Sequence, residues 1–385
     1  MISRIRNRLS WTKSKTPAGL RFDRPLVLFQ SDDWGRVGVR DREGWEELCA
    51  AGLNLGEKPY DFYSLETADD LHALTQVLQA HSDSVGQKPS IVMNFILANV
   101  DFERWQIEEK QIPLRALDEG LPGKWNRPNL FDAYRQGIRE RVFYPALHGL
   151  THFCEPAMQR AFETQGTQNN ERSELIEKLW TAQTPYIHWR MPWIGYEYWD
   201  PELVPSQRSL PLERQRSAIR GAAETFQKLF SSSAFSACAP GYRANADTAQ
   251  AWFENGVRVA QNGRGEIRRP YLDERGMLFT FRTVEMEPAV EPCDLQTLMS
   301  QVNECFAHGI PAVISMHSIN FHSTLKNFRG PTLELLHEFL GAMERRWPDL
   351  LYVNDAEFFS IATSGAYDAE SGKVSVRTVV EKVKT

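Results

Sequence analysis

The sequence lacks long apolar runs, and it contains little cysteine. No apolar run approaches the ~20 residues that a membrane-spanning helix needs, so a transmembrane helix is not expected. The five cysteines are scattered and include no CxxC pair, which indicates free thiols in a reducing compartment. The first residues are basic but contain no apolar stretch typical of a secretory signal. Together these absences predict a cytoplasmic protein.

An excess of positive charge is also lacking. The net charge is −6, so no general attraction to nucleic acid is expected. Residues 1–24 are an exception, because they hold seven Lys or Arg residues and one acid, Asp23. This stretch is either a frayed, solubilising terminus or a basic arm that contacts anionic lipid headgroups or a polyanionic partner. Contact with lipid would hold the protein peripherally at the inner membrane surface.

Short apolar runs alternate with amphipathic stretches from residue 25 onwards. Residues 25–30, 90–97 and 141–147 are typical of buried strands, and residues 68–79 and 212–230 have the period of helices. Strands separated by helices indicate βαβ units around a parallel sheet. We therefore predict an α/β fold, a distorted (β/α) barrel of about seven strands.

The predicted organisation has three parts, which are the basic arm 1–24, one barrel domain over 25–363 and a polar tail over 364–385. Within the barrel domain, residues 184–205 interrupt the alternation because they are dense in aromatic residues and prolines. This excursion either lines a sugar-binding cleft or packs a long loop onto the body of the domain.

Polar side chains with catalytic chemistry follow four of the predicted strands. In a parallel α/β barrel, functional groups lie on the loops after the carboxyl ends of the strands. The residues that follow these strands are Asp32 and Asp33, His148 and His152, Tyr242 and Arg243, and His317. Two histidines with one carboxylate make the three-ligand site of a catalytic zinc, and a second carboxylate could serve as a base.

Each of these features also has a structural explanation when taken alone. Paired aspartates after a strand are often turn or helix-capping residues. His317 could be a core histidine with satisfied hydrogen bonds. The HxxxH spacing of His148 and His152 would place two imidazoles on one helical turn, which suits a shared metal but also arises by packing. The combination is what favours a metal site.

The motifs resemble those of the polysaccharide deacetylases, carbohydrate esterase family four, which contain the NodB homology region. They occur in the family's order as QSDDWG (30–35), HGLTH (148–152), CAPGYR (238–243) and ISMHS (314–318). The resemblance spans about residues 25–360, and the first two motifs together are its most specific part. It implies a hydrolase that removes N-acetyl groups from an acetamido sugar in a polysaccharide or its precursor. A carbohydrate substrate and a divalent metal, usually Zn²⁺, are implied with it.

The resemblance also implies a role for each matching residue. Asp33, His148 and His152 would ligate the metal. Asp32 would be the general base and His317 the general acid. A backbone N–H near Tyr242 would hold the oxyanion.

The sequence departs from the family at Cys238, where members usually have an arginine that orients the base. Arg243 is the predicted replacement, and Arg190 in RMPWIG (190–195) is the alternative. No acidic partner for the catalytic histidine is evident, and Asp294 is the candidate by position alone. Two other functions therefore stay open, which are hydrolysis of another C–N bond, as in a cyclic amide or ureide, and a carbohydrate-binding pseudoenzyme.

Overall fold

The computed structural model describes residues 19–105, 112–162, 167–263, 268–369 and 372–381. The described strands are β1 (Gly19–Phe22), β2 (Leu26–Trp34), β3 (Ile91–Phe95), β4 (Ala98–Val100), β5 (Leu114–Ala116), β6 (Phe143–Leu147), β7 (Ser236–Cys238), β8 (Val259–Asn262), β9 (Tyr271–Leu272), β10 (Leu278–Phe281), β11 (Val284–Glu285), β12 (Ala312–His317), β13 (Leu351–Tyr352), β14 (Ala366–Ala369), β15 (Gly372–Ser375) and β16 (Thr378–Glu381). The described helices are α1 (Arg42–Ala50), α2 (Ala68–Gln79), α3 (Leu130–Arg139), α4 (Glu155–Arg160), α5 (Thr167–Thr181), α6 (Leu212–Phe230), α7 (Ala246–Glu254), α8 (Leu295–Ala307), α9 (Arg329–Arg346) and α10 (Asp355–Ser364).

Within the described residues, seven parallel strands form a closed barrel. Parallel pairing runs through β12, β2, β3, β6, β7, β8 and β10 in that order. The segment 278–285 closes the ring, because its first half, β10, pairs with β8 and its second half, β11, pairs with β12. Between the two halves, Arg282 N donates to Asn262 O of β8 and Thr283 N donates to Val313 O of β12. The predicted distorted barrel of about seven strands is confirmed.

Local sequence explains why these elements form. All nine residues of β2 are buried, as expected for a strand covered on both faces. Helix α2 begins with a capping box at Thr67 and buries Leu71, Leu74 and Leu78, the face that the sequence period predicts. The largest hydrophobic cluster lies between the barrel and its surrounding helices. Among the described helices, none has both the length and the apolar character needed to cross a bilayer.

The sheet continues beyond the barrel through antiparallel strands. Strand β9 pairs with β10, β1 pairs with β9, and β16 pairs with β1. Strands β14 and β15 form a separate antiparallel pair. The last residues of the predicted arm, 19–22, are thus joined to the end of the predicted tail. Residues 1–18 of that arm lie outside the described residues, so the arm stays a prediction.

Candidate active site

A pocket of about 420 Å³ lies where the loops after β2, β6, β7 and β12 meet. Ligand pockets of this size class are usually concave and lined by aromatic residues with a few polar groups. Six of the seven predicted site residues line it, which are Asp32, Asp33, His148, His152, Tyr242 and His317. The structure therefore brings together residues that are up to about 285 positions apart in the sequence.

Asp33, His148 and His152 have the spacing of metal ligands. Asp33 Oδ1 lies 3.6 Å from His148 Nε2 and 3.2 Å from His152 Nε2. Tetrahedral bonds of about 2.0–2.1 Å put neighbouring ligand atoms roughly 3.3 Å apart, so the donor atoms need to move little. Asp33 Oδ1 is buried and accepts no hydrogen bond from the described residues. The donor set fits a divalent metal such as Zn²⁺.

The surroundings of His148 and His152 favour metal ligation by their Nε2 atoms. His148 Nδ1 lies 3.0 Å from the carbonyl oxygen of Cys238 on β7 and donates to it, which leaves the Nε2 lone pair directed at Asp33. Burial holds the pKa of His152 well below its usual value. A neutral imidazole is the form that ligates a metal.

The HGLTH segment is a loop, which corrects the expectation that His148 and His152 share a helical turn. Gly149 has a φ of 109°, and a Cβ at this position would lie 2.3 Å from the carboxylate of Glu197. One oxygen of Glu197 accepts hydrogen bonds from the backbone N–H groups of Leu150 (2.9 Å) and Thr151 (3.0 Å). The carboxylate from the excursion thus fixes the loop that carries both histidines.

Asp33 is held by a buried arginine that the sequence analysis did not single out. Arg36 Nη1 donates to Asp33 Oδ2 at 2.9 Å, which leaves Oδ1 for the histidine side of the pocket. The Arg36 guanidinium also lies 4.1 Å from the ring centre of Tyr63. Burial raises the pKa of Asp33, but the charge of Arg36 opposes this most strongly, and the net shift of the pKa is well downward.

Asp32 is contacted by Arg282, which corrects the prediction for Arg243. Arg282 Nη2 lies 2.5 Å from Asp32 Oδ1 and also approaches Cys238 Sγ at 3.9 Å. Asn94 Nδ2 donates to the same carboxylate oxygen at 2.7 Å. Burial raises the pKa of Asp32, but the Arg282 charge and hydrogen bond contribute to a net lowering. Because the side chain at Cys238 is small, Arg282 of the segment 278–285 can reach Asp32 from inside the barrel.

Neither Arg243 nor Arg190, the two arginines predicted from the sequence, contacts Asp32. Arg243 is exposed after the turn at 240–242, and its guanidinium lies 4.5 Å from the ring centre of Trp199. Arg190 donates to Asp61 at 2.9 Å and lies over the ring of Trp189. A signal for Arg282 was present in the sequence, because it is an arginine within an otherwise largely apolar run, MLFTFRTVEM (277–286).

His317 has a carboxylate partner, Glu287, which corrects the assignment of Asp294. His317 Nδ1 lies 2.6 Å from Glu287 Oε1, and Asn320 Nδ2 donates to Glu287 Oε2 at 2.6 Å. Burial lowers the pKa of His317, but Glu287 raises it more, and the net value is about 9. Asp294 instead caps α8 by accepting from Thr297 N. His317 Nε2 lies 3.8 Å from Asp32 Oδ2.

Tyr242 lines the pocket with its side chain. Its hydroxyl accepts a hydrogen bond from Arg282 Nη1 at 2.8 Å. Its own backbone N–H donates to Ala239 O at 2.9 Å and closes the turn. The expectation of an oxyanion donor therefore does not apply to the N–H of Tyr242 itself, because this group is engaged in the turn.

The aromatic excursion packs onto the body of the domain and also lines the pocket, while its binding of a sugar stays a prediction. Met191 and Ile194 are fully buried in a hydrophobic cluster against the body of the domain. His188, Trp189 and Tyr196 line the pocket. The His188 ring stacks on Tyr196 with 4.6 Å between ring centres. The excursion is both a packed loop and one wall of the pocket.

Comparisons with known proteins give a similar fold at low sequence identity. No family model matches the chain, and no curated protein matches its sequence. Similar solved structures include a candidate polysaccharide deacetylase from Mycobacterium smegmatis, with 10% identity, a TM-score of 0.46, and coverage of 90% of this chain and 93% of that one. A candidate glycoside hydrolase or deacetylase from Parabacteroides distasonis has 11% identity, a TM-score of 0.49, and coverage of 94% and 75%.

A third solved structure, Puue allantoinase, has 10% identity, a TM-score of 0.45, and coverage of 94% of this chain and 99% of that one. These similar structures thus include a candidate polysaccharide deacetylase and a candidate glycoside hydrolase or deacetylase. At these identities the likeness concerns the fold, so the function has to be argued from the site.

Proposed function

We propose that this protein is a metal-dependent hydrolase that removes N-acetyl groups from an acetamido sugar, either in a polysaccharide or in its precursor. One observation carries the proposal. The three-ligand cluster of Asp33, His148 and His152 lines the same pocket as Asp32 and His317. A metal site with a base and an acid beside it is the arrangement that amide hydrolysis needs.

Asp33, His148 and His152 would hold the metal, and Zn²⁺ suits their oxygen and nitrogen donors. When bound, such a metal supplies a Lewis acid for the amide carbonyl and lowers the pKa of a water molecule toward ~7. The orphaned Asp33 Oδ1 supports this assignment, because a buried carboxylate oxygen without a partner is costly.

Asp32 is the proposed general base. Arg282 and Asn94 both bond its Oδ1, which leaves Oδ2 on the side of His317. The arginine keeps the carboxylate ionised, so that it can accept a proton from the attacking water. The fixed orientation also removes a rotational freedom that would otherwise have to be lost in the transition state.

His317 is the proposed general acid. The carboxylate of Glu287 keeps its imidazole protonated near pH 7, since the pKa is raised to about 9. The protonated ring can donate from Nε2 to the leaving amine. The site thus holds one group ready to accept a proton and another ready to donate one, which is how paired titratable groups divide acid and base roles.

The walls of the pocket suit a carbohydrate. Trp189, Tyr196 and Tyr242 offer ring faces and edges around the polar groups. Such a lining can pack against the C–H faces of a sugar while the polar side chains orient its hydroxyls. The contact of Arg282 with Asp32 also supports an active enzyme, because it supplies the arginine that is missing at Cys238.

The test combines metal analysis with product detection. Protein purified without chelator should contain about one divalent metal per chain, and it should release acetate from N-acetylglucosamine oligomers. Opening of a cyclic ureide without acetate release would select the second function. Metal and glycan binding without any turnover would select the pseudoenzyme.

We also propose a cytoplasmic location with a sugar-containing precursor as substrate. The cysteines support it, because Cys49, Cys154, Cys238 and Cys293 are free thiols and Cys154 and Cys238 are buried. Contact of the basic arm with the inner membrane surface is part of the same proposal. Co-sedimentation with anionic vesicles that is lost on removal of residues 1–18, which leaves β1 in place, would support it, and no binding at low salt would refute it.

A further inference from the structure

The inside of the barrel below the pocket is polar. (β/α) barrels are usually filled there with branched apolar side chains. In this barrel the interior side chains Gln30, Asn94, Gln261 and Asp355 are each 0–1% exposed. Burying polar groups costs free energy unless they are hydrogen-bonded, and networks that are fully bonded hold one arrangement. In this network Gln30 Oε1 lacks a partner among the described residues, whereas the side-chain amide groups of Asn94 and Gln261 are bonded, and these two lie between Asp32 and Asp355.

Two amides at the centre of this network bond each other reciprocally. Asn94 Nδ2 on β3 donates to Gln261 Oε1 on β8 at 2.8 Å. Gln261 Nε2 donates back to Asn94 Oδ1 at 2.9 Å. Each amide nitrogen has a second hydrogen, and these two hydrogens point out of the pair in opposite directions.

The outer hydrogens both end on carboxylates. Asn94 Nδ2 donates to Asp32 Oδ1 at 2.7 Å, and Gln261 Nε2 donates to Asp355 Oδ2 at 2.8 Å. A concerted reversal of both amides would keep the reciprocal bonds but turn a carbonyl oxygen toward each carboxylate. The two carboxylates therefore favour the same orientation of the pair, one from each end.

The side chain of Asp355 does not cap α10, although Asp355 lies at the beginning of this helix. It is the first residue of α10, which follows β13, and β13 pairs with Leu26 and Val27 at the beginning of β2. Asn354 already caps the helix by accepting from Ala356 N and Glu357 N. The Asp355 side chain instead enters the barrel, where its Oδ1 accepts from Gln30 Nε2 at 2.8 Å.

We propose that Asp355 is a remote positioning residue that acts on Asp32 through Gln261 and Asn94. Its carboxylate fixes the direction of the Gln261 amide, Gln261 fixes that of Asn94, and Asn94 presents an N–H to Asp32 instead of a carbonyl oxygen. The proposal rests on the proposed function, in which Asp32 is the base. It adds a residue that touches neither substrate nor metal.

The decisive variant is Asp355→Asn, which keeps the shape but replaces one acceptor by an NH₂ group. Gln30 Nε2 and Gln261 Nε2 both need an acceptor there, so the amide pair loses one of the two carboxylates that favour its orientation. We expect kcat to fall about tenfold or more while KM changes less than about twofold, since orientation of the base matters in the transition state. Metal content should not change, because no ligand is touched.

Glu357→Gln is the matched control. Glu357 lies in the same first turn of α10, and its carboxylate accepts from Gln87 Nε2 and from Asn354 N, away from Gln261. The change removes one carboxylate from the same helix, so it tests the structural effect of losing a hydrogen-bonded carboxylate there. We expect kcat within about twofold of the original protein. Equal loss of kcat in both variants would reduce Asp355 to a structural residue and overturn the proposal.

A spectroscopic measurement separates this proposal from the proposed function. In ¹⁵N-labelled protein, the side-chain amide signals of Asn94 and Gln261, assigned with Asn94→Leu and Gln261→Met, should shift in Asp355→Asn and not in Glu357→Gln. If the original protein releases no acetate, the deacetylase function fails. The amide signals then show by themselves whether Asp355 fixes the orientation of Gln261 and Asn94. Unchanged Asn94 signals in Asp355→Asn would overturn the proposal.

A second pair of variants covers the case in which Asp355→Asn does not fold. Gln261→Met breaks the chain in its middle with a side chain of similar size. Gln215→Met is its control, because Gln215 is also buried and bonds Thr248 and Leu210 O outside the barrel. The proposal predicts that Gln261→Met lowers kcat with metal content retained and that Gln215→Met does not lower kcat. Normal kcat in folded Gln261→Met would overturn it.

Discussion

Arg282 donates to Asp32 across the inside of the barrel, with 2.5 Å between Nη2 and Oδ1. The two residues lie on segments that are separated by β12 in the ring, and Arg282 belongs to none of the four motifs. Arg282 is 1% exposed, as is Asp32. A buried ion pair of this kind costs desolvation of both charges, so its value is in holding the carboxylate ionised and oriented.

The first prediction concerns this arginine. Arg282→Lys keeps the charge but loses the planar fork that bonds Asp32 and Tyr242 together, so we expect kcat to fall by about 10²-fold with metal retained. Arg243→Gln and Arg190→Gln are the controls, since neither contacts Asp32, and each should retain kcat within about threefold. Steady-state kinetics with thermal unfolding of each variant checks this. A larger loss in Arg243→Gln than in Arg282→Lys would contradict our assignment.

The second prediction separates the two aspartates. Asp32→Asn should keep the metal and lose most of its turnover, because the base is removed and the ligands stay. Asp33→Asn should lower metal affinity itself, since a neutral amide oxygen is a weaker ligand than a carboxylate. Metal analysis after dialysis against a weak chelator, together with acetate release, distinguishes them. Loss of metal in Asp32→Asn but not in Asp33→Asn would reverse the roles.

Sequence reasoning reached the barrel and the residues at its strand ends for a physical reason. Buried parallel strands are apolar runs of five or six residues, so β3, β6 and β12 are visible from composition alone. The chemistry of a barrel concentrates after such strands, which gives the positions of Asp32, His148 and His317. Local pattern was sufficient for these features.

The partners of these residues could not be reached in the same way. Arg282 and Asn94 meet Asp32 only because of the order and register of strands around the ring, and Glu287 meets His317 only because β11 pairs with β12. Neither order nor register is encoded in spacing along the chain. Gly149 likewise determined that HGLTH is a loop, since its φ of 109° ends any helical turn.

The third prediction is the pH dependence of the proposed general acid. Glu287 outweighs burial and raises the pKa of His317 to about 9, so the protonated form is present below pH 9 and is lost as the pH rises through that value. Turnover should therefore fall on the alkaline side near pH 9. In Glu287→Gln the negative charge is gone, and the alkaline fall should move to lower pH. An alkaline limit that is the same in both proteins would assign it to another group.

The last prediction concerns Glu197, which holds the histidine loop from the aromatic excursion. One of its oxygens accepts from the N–H groups of both Leu150 and Thr151, so Glu197→Ala leaves two backbone donors near His148 and His152 without this acceptor. The loop should become less ordered, and metal affinity should fall by about 10- to 100-fold, the range typical for loss of supporting contacts. Glu197→Gln keeps a carbonyl oxygen that can accept both bonds, and its metal affinity should stay within about threefold of the original. Competition with a chromophoric chelator measures both values without any need for turnover. If the alanine and glutamine variants bound metal equally well, Glu197 would not support the metal site, and the excursion would only line the pocket. The conformation of the loop 148–152 would then depend on Gly149 and on the hydrogen bond from His148 to Cys238 O.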